Sequence, residues 1–320
     1  MKVLDETIRQ LTIPTPFAVG DTHVYLIKGD ALTLVDAGVK TKEAWESLKM
    51  QLKELGYYPN DIEQIILTHH HPDHTGLIEE FPRLNSLVAH KNVDVWLTKN
   101  EMFFRHYEQF FKDYFITSGI PDRFHTDLDN LRAPLHFAGE GKLTAMIDEG
   151  DSLPGHADWQ VIDTKGHAQS HLSFLRESDG LFIGGDHLLQ HISPNPLIEP
   201  PLEGDIERPK PMLQYRANLK KCLSLGISKV LPGHGEVFSN VDEIIPFRLL
   251  KQEQRADKVH LLLKEEAQTV FQICEQIFPR QYEKQLDLTM SETIGQLDYL
   301  EDEGLIGKVS KNGTLIYHAT

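Results

Sequence analysis

A run of metal-ligand residue types at the end of an apolar strand constrains this chain more than any other feature. The strand predicted over 62–68 leads directly into the motif Thr68-His69-His70-His71-Pro72-Asp73-His74. Neutral imidazoles and a carboxylate are the ligands that zinc-type divalent metals bind. Alternate side chains of an extended segment point to one side, so His69 and His71 can share one ion. Asp73 and His74 follow as the chain turns into a helix, and they can reach a second ion.

Three later segments each place a ligand-type residue beside glycine at the end of a predicted strand. They are Gly166-His167, Gly184-Gly185-Asp186-His187 and Pro232-Gly233-His234-Gly235. Glycine lets the backbone turn sharply and approach closely, so the next side chain can point inward. Each segment alone is weak evidence. Their order after the histidine-rich motif predicts His167, Asp186 and His234 as further ligands.

With these motifs the sequence resembles the metallo-β-lactamase superfamily over about residues 15–240, and within it the glyoxalase-II-like hydrolases. The resemblance implies an α/β fold, a four-layer αββα sandwich with two divalent metal ions at one edge of its sheets. It also implies a division of the ligands between the ions. The first ion would be held by His69, His71 and His167, the second by Asp73, His74 and His234, and Asp186 would bridge the two.

The resemblance further implies residues that support these ligands. Asp36, in Leu34-Val35-Asp36-Ala37-Gly38, matches an aspartate that usually supports the metal site by hydrogen bonding. His171 matches a buried histidine with a structural or ligand-supporting role. His70 is expected to point away from the metals, and His187 to orient its neighbours. His191 leads into a proline-rich loop and is a candidate for substrate contact.

Two bound ions, with zinc preferred and iron or manganese as alternatives, would share a water molecule and lower its pKa toward neutrality. The hydroxide would attack an electrophilic carbonyl or phosphorus, and a metal would stabilise the charge that develops on oxygen. Asp73 would orient the nucleophile and accept a proton. The predicted activity is hydrolysis of a small ester, thioester or lactone. A metal-dependent endoribonuclease or phosphodiesterase is the alternative, and a non-catalytic binding module is a third hypothesis.

Short strands alternating with amphipathic helices predict a layered α/β domain over residues 1–241, with a helical insertion over about 99–150. The insertion contains an aromatic-rich segment, 102–119, that either packs in a core or lines a substrate channel. The segment Ser193–Pro211 holds six prolines and is predicted to be a long loop near the site.

Residues 242–320 are predicted to form a small separate domain. Its helices are predicted over Asp242–Glu266, Thr269–Phe278 and Ser291–Glu303, with the third capped by Ser291 and ended at Gly304. Two short strands around an Asn-Gly turn follow. Three helices and a β-hairpin are typical of a winged helix.

A winged helix beside such a catalytic domain resembles the lactamase-like endoribonucleases of animal mitochondria and their bacterial relatives. A winged helix can place its third helix in a groove of nucleic acid. Here that helix is acidic and has no lysine or arginine over Glu292–Glu303, so phosphates would repel it. The small domain is therefore predicted to serve packing or homodimer formation.

The overall charge and composition favour a small-molecule substrate. The net charge of −16 repels nucleic-acid phosphate at long range, although a local basic patch is still open. Cys222 and Cys274 do not form a CxxC pair, which argues against a thiolate zinc site. The acidic N-terminal segment and the lack of an 18-residue apolar run predict a cytoplasmic protein with no membrane partner.

Overall fold

The structure is a computed structural model that describes residues 1–202 and 204–320. The strands are β1 (Lys2–Val3), β2 (Ile8–Ile13), β3 (Thr22–Lys28), β4 (Leu32–Val35), β5 (Gln64–Ile66), β6 (Ser86–Ala89), β7 (Ala145–Met146), β8 (Ser152–Leu153), β9 (His156–Asp163), β10 (Leu172–Arg176), β11 (Leu181–Gly185), β12 (Lys229–Pro232), β13 (Gln268–Thr269), β14 (Ile306–Lys311) and β15 (Thr314–Ala319). The α-helices are α1 (Lys42–Glu54), α2 (Pro72–Thr75), α3 (Asp94–Leu97), α4 (Glu101–Ser118), α5 (Pro211–Cys222), α6 (Val241–Glu265), α7 (Val270–Ile277) and α8 (Leu286–Asp302).

The chain divides into two compact units that do not follow a single boundary in the sequence. The first comprises residues 1–100, 132–194 and 222–241, and the second comprises 101–131, 195–221 and 242–320. The sequence prediction placed one boundary at residue 241. In the structure, the aromatic segment and most of the proline-rich segment instead belong to the same unit as residues 242–320.

Two β-sheets form the centre of the first unit. Strands β1 to β7 make one sheet in sequence order, and the other has the order β12-β11-β10-β9-β8. Strands β4, β5, β6 and β7 are parallel to one another, as are β11 and β12. The carboxyl ends of parallel neighbours lie at one edge of a sheet, and in α/β sheets ligands bind outside that edge.

The sheets pack against each other through alternate side chains. One apolar cluster joins Tyr25, Val35 and Ile66 of the first sheet to side chains of the second that include Trp159 and Phe174. The opposite face of the first sheet packs against α1 in a separate cluster, as the period-two alternation of a strand requires. These contacts give the order helix, sheet, sheet. The predicted α/β class is confirmed, and the fourth layer stays a prediction.

Helix α1 shows how local sequence fixes an element of the first unit. The Thr41 side chain accepts a hydrogen bond from the Ala44 amide and caps the helix N-terminus. Buried Leu48 and Leu52 lie on the face that packs against the sheet. Gly56, just past the helix end, has φ +82°, a conformation that glycine adopts without strain.

The second unit contains α4 to α8 and the small sheet β13-β15-β14. Its core joins Phe115 of α4 to Val259 of α6, Cys274 of α7, Leu297 of α8 and Tyr317 of β15. The aromatic side chains Tyr114 and Phe115 are therefore core residues, as one of the two sequence interpretations proposed. The substrate-channel interpretation of this segment stays untested.

The predicted start of the third C-terminal helix is wrong. Helix α8 begins at Leu286, and Ser291 lies inside it rather than at its N-cap. The Ser291 hydroxyl accepts a hydrogen bond from the Ile198 amide at 3.3 Å, so tertiary contact uses the group that the sequence suggested for capping. The predicted end of this helix is confirmed, since Gly304 has φ +70°. The predicted hairpin turn is also confirmed, since Asn312 and Gly313 have φ +53° and +85°.

Several elements were not predicted, of which β2 and α5 are the longest. Strand β2 was missed, and α5 begins at Pro211, where the prolines had suggested only irregular structure. Proline is well tolerated in the first turn of a helix because its missing amide needs no partner there. Residues 193–202 and 204–210 form no helix or strand, as predicted for the proline-rich segment, and Glu203 lies outside the described residues. Within the described residues, no helix is long and apolar enough to span a bilayer.

Candidate metal centre

The seven predicted ligands lie together in the first unit, on segments that follow strands of both sheets. The motif 69–74 follows β5 and runs through the short helix α2. His167 lies in the turn after β9, Asp186 directly follows β11, and His234 follows β12. Their ligand atoms form three overlapping groups, each within 4.8 Å: His69, His71 and His167; His69, His74 and Asp186; Asp73, His74 and His234.

The first group is compact. Nδ1 of His71 lies 2.9 Å from Nε2 of His69 and 3.0 Å from Nε2 of His167. Two nitrogens bound tetrahedrally to one zinc ion at about 2.0–2.1 Å would lie about 3.4 Å apart. Three imidazoles at this spacing therefore fit around one ion after small adjustments.

Asp186 lies between the histidines of both sides. Its Oδ2 is 3.5 Å from Nε2 of His167 and 3.5 Å from Nε2 of His234, while its Oδ1 is 3.6 Å from Nε2 of His74. In the group of Asp73, His74 and His234, Nε2 of His234 lies 3.2 Å from Oδ2 of Asp73. One carboxylate that faces both groups is the arrangement expected of a bridging ligand.

Two buried atoms without hydrogen-bond partners in the part of the chain that the structure describes indicate that a cation fits this centre. Nε2 of His74 and Oδ1 of Asp186 are both shielded from solvent, and neither forms a hydrogen bond in the described residues. Buried polar atoms without partners are costly, so such a pair facing each other indicates a missing partner. A divalent cation bound by both atoms would satisfy them, and the donor set of imidazoles and carboxylates suits one of zinc type.

Hydrogen bonds on the far side of the rings fix which nitrogen faces the centre. Asp36 Oδ2 accepts from Nδ1 of His74 at 2.8 Å, and the Asp21 carbonyl accepts from Nδ1 of His234 at 2.8 Å. Nδ1 of His69 lies 2.9 Å from the Thr68 hydroxyl, which itself contacts Asp36. Each bond assigns a proton to Nδ1, so Nε2 is the nitrogen of each ring that can bind a metal.

The predicted supporting residues lie behind the ligands. Asp36 is buried, accepts from the Thr68 amide at 2.8 Å, and has φ +65°, a strained conformation for a residue with a side chain. His171 is fully buried; its Nε2 accepts from the Asp186 amide at 3.0 Å, and its Nδ1 lies 2.8 Å from the Thr164 hydroxyl. Both residues form hydrogen bonds to candidate ligands, Asp36 to His74 and His171 to the backbone of Asp186.

The remaining histidines lie outside the three groups. His70 stacks on Trp96, and the buried ring of His187 lies 6.3 Å from that of His171. His191 is exposed, and its role in substrate contact stays a prediction. Sequence reasoning missed Thr68 and the Asp21 carbonyl as supporting groups. The position of Thr68 directly before His69 offered a signal, whereas a backbone carbonyl offers none.

Two glycines allow the ligand-bearing segments to come this close. A Cβ atom on Gly233 would lie 2.2 Å from Oδ1 of Asp186 and 3.0 Å from Cε1 of His74. Gly185 has φ +48°, and a Cβ there would lie 2.8 Å from Nε2 of His171. These contacts explain why glycine precedes Asp186 and His234.

The electrostatics of the centre favour a bound cation. Burial and the neighbouring histidine rings lower the pKa of His69 and His71 well below the usual value, so both are neutral metal donors. Burial alone would lower the pKa of His234, but Asp186 and Asp73 outweigh it and raise that pKa to about 10. Asp186 and the other nearby carboxylates likewise raise the pKa of His74. Protons on these rings balance the buried carboxylates, which is the charge a metal would supply.

The chain is similar to known proteins in sequence and in structure. Residues 18–234 match the model of the family described as metallo-beta-lactamase superfamily. A Bacillus subtilis (strain 168) protein named "Probable metallo-hydrolase YqjP" is 40% identical over 312 residues, which cover 98% of this chain and 98% of that protein.

Two crystal structures share the fold along almost the entire chain. A metallo-beta-lactamase family protein from Thermus thermophilus superposes with a TM-score of 0.81 at 24% identity, covering 99% of this chain and 100% of that one. A beta-lactamase domain protein from Burkholderia ambifaria superposes with a TM-score of 0.79 at 21% identity, covering 100% and 94%. At these identities the similarity shows the fold alone.

Proposed function

The chain belongs to the metallo-β-lactamase superfamily and is a metal-dependent hydrolase, and on that premise we propose that it hydrolyses a small ester, thioester or lactone at a centre of two divalent ions. The observation that carries the two-ion centre is the overlap of the ligand groups. His69 and His74 each belong to two of the three groups, so the groups extend past a single ion position.

The distances support a division of the ligands between two ions. His69, His71 and His167 would hold the first ion, and His74, His234 and Asp73 the second. Asp186 would bridge, since its oxygens lie 3.5–3.6 Å from nitrogens of both groups. Five imidazoles and two carboxylates favour zinc, with iron or manganese as alternatives.

Two bound cations would lower the pKa of water, so supplying a hydroxide nucleophile at neutral pH, and would stabilise negative charge on the substrate oxygen. The protein's own residues would orient the nucleophile and accept the proton that the reaction releases. Burial would raise the pKa of Asp73, but His74 and His234 outweigh it and keep the carboxylate ionised. As an anion, Asp73 can orient the nucleophile by hydrogen bonding and accept a proton as the intermediate collapses.

The second unit argues against the alternative, a nuclease that reads its substrate with a winged helix. Its helix–strand–helix–helix–hairpin order supports a winged-helix fold, with α8 as the third helix. However, most of α8 is buried, from Leu286 to Leu300, and its exposed residues Asp287 and Asp302 are acidic. A buried, acidic helix cannot enter a groove of nucleic acid. We therefore assign this unit to packing or homodimer formation.

Metal analysis tests the two-ion centre directly. After full removal of metal and reloading with excess zinc, the gel-filtered protein is expected to retain about two ions per chain, because all seven ligands are present and close together. Elemental analysis of the protein peak measures this ratio. A ratio of one or less in folded, active protein would exclude the proposed two-ion mechanism.

A substrate panel tests the preferred chemistry. We expect the zinc-loaded protein to hydrolyse p-nitrophenyl acetate, an acyl thioester or a γ-lactone at least about tenfold faster, in kcat/KM, than bis(p-nitrophenyl) phosphate. A penicillin and a single-stranded RNA complete the panel, which is read by absorbance, thiol release, pH-stat and gel analysis. Rapid RNA cleavage that requires Asp73 would overturn the proposed substrate class while leaving the hydrolase assignment intact.

A further inference from the structure

His71 differs from His69, His74 and His234 in how its ring is held. The far nitrogens of His69, His74 and His234 each face an oxygen partner. Among the described residues, no hydrogen bond reaches Nε2 of His71, whose Nδ1 is the atom that faces the centre. A metal-binding histidine is normally oriented by a hydrogen bond on its other nitrogen. Within the described residues, the His71 ring is therefore held by the contacts of Nδ1 and by packing against the rings of its neighbours.

One neighbour of His71, His70, is fixed by contacts of its own. Its ring is buried and stacks on Trp96 at a centroid distance of 4.0 Å and an interplanar angle of 11°. Its Nδ1 forms a hydrogen bond of 2.8 Å with the hydroxyl of Ser170, which is also buried. The His71 ring packs edge-on against it at 4.8 Å. Because the two residues are adjacent, fixing His70 restricts the backbone and the ring of His71.

Ser170 connects this contact to the other side of the first group. It lies three residues after His167, in the loop between β9 and β10. The segment 91–97 contacts both ligand-bearing segments, because Nδ2 of the Asn92 side chain donates to the Gln169 carbonyl at 2.9 Å while Trp96 stacks on His70. His71 and His167 are thus joined through side chains that do not face the centre.

We propose that His70, Ser170, Trp96 and Asn92 form a clamp that positions His71 relative to His167, and that this clamp sets the affinity of the first ion. The four are positioning residues, not ligands. The proposal rests on the metal centre proposed above. It assigns a role to His70 and Trp96 beyond packing. It predicts that loss of the clamp lowers the affinity for one ion more than the affinity for the other.

Cobalt binding to the full-length protein tests the clamp. In Ser170→Ala we expect one of the two ions to bind about 10–100-fold more weakly, the range typical for loss of a residue that orients a ligand, while the other stays within about twofold. Cobalt titration of the metal-free protein in a competing chelator gives both affinities, and the visible cobalt absorption reports the geometry of each site. Trp96→Leu should weaken the same ion, and Trp96→Phe, which keeps a ring for stacking, should largely restore it.

Ser291→Ala is the matched control, since it removes a buried serine hydroxyl from the second unit and should change neither affinity. The clamp is disproved if Ser170→Ala and Trp96→Leu leave both affinities and the cobalt spectrum as in wild type. It is equally disproved if the affinities for both ions decrease to the same extent. If wild type binds one ion only, the two-ion function fails, yet the clamp survives if Ser170→Ala, but not Ser291→Ala, weakens that ion.

Discussion

Replacement of Asp73 by asparagine is expected to lower kcat/KM by about 10²–10⁴-fold on the best substrate of the panel, the range that general acid–base catalysis contributes. The side chain is almost isosteric, so the fold should remain. What is lost is the negative charge, which contacts His234 at 3.2 Å and which the surrounding histidines keep ionised. Initial rates at saturating zinc measure the effect, and Asp73→Ala should show a loss at least as large.

A matched variant separates this effect from a general loss of stability. Asp61→Asn changes an exposed carboxylate of the same unit, which accepts a hydrogen bond from the Tyr58 amide. It should keep nearly full activity. Metal content and thermal unfolding of both variants complete the comparison. A metal-loaded Asp73→Asn protein with more than about a tenth of wild-type kcat/KM would remove Asp73 from the catalytic role.

The candidate ligands, which the structure brings together, could be predicted from the sequence because their chemistry is local. In the motif 69–74 four ligand-type residues occur within six positions, and Gly185 and Gly233 directly precede Asp186 and His234. Each signal is readable without knowing the fold. The pairing of Asp186 with both groups was available only through the family resemblance, since no local pattern specifies contact between residues far apart in the sequence.

The parts that could not be predicted depend on tertiary contact. Ser291 has the residue type and position of an N-cap, but the helix extends five residues further because its flanking residues are buried in the core of the second unit. The segments 101–131 and 195–221 join that unit from the middle of the sequence, which no linear change in composition indicates. The bond between His70 and Ser170 spans 100 residues and has no local signature.

Removal of the Arg208 guanidinium is expected to cause the largest loss of stability of any single change considered. Its two terminal nitrogens bind the Asp298 carboxylate at 2.6 and 2.8 Å, and Asp298 is only 2% exposed. Burial would lower the pKa of Arg208, but Asp298 outweighs it and keeps the arginine charged. Arg208→Met leaves a buried carboxylate without its partner, which typically costs about 3–5 kcal/mol.

Urea unfolding monitored by circular dichroism measures this loss, because the second unit is rich in helix. Tryptophan fluorescence is not suited to it, since Trp45, Trp96 and Trp159 all lie in the first unit. The double variant Arg208→Met, Asp298→Leu removes both charges and should recover much of the stability, because no charge is then left buried and unpaired. Lys40→Met breaks the exposed pair with Glu79 and should cost no more than about 1 kcal/mol. Equal losses for Arg208→Met and Lys40→Met would mean that water reaches Asp298, and the pair would then have no special part in holding α8 in place.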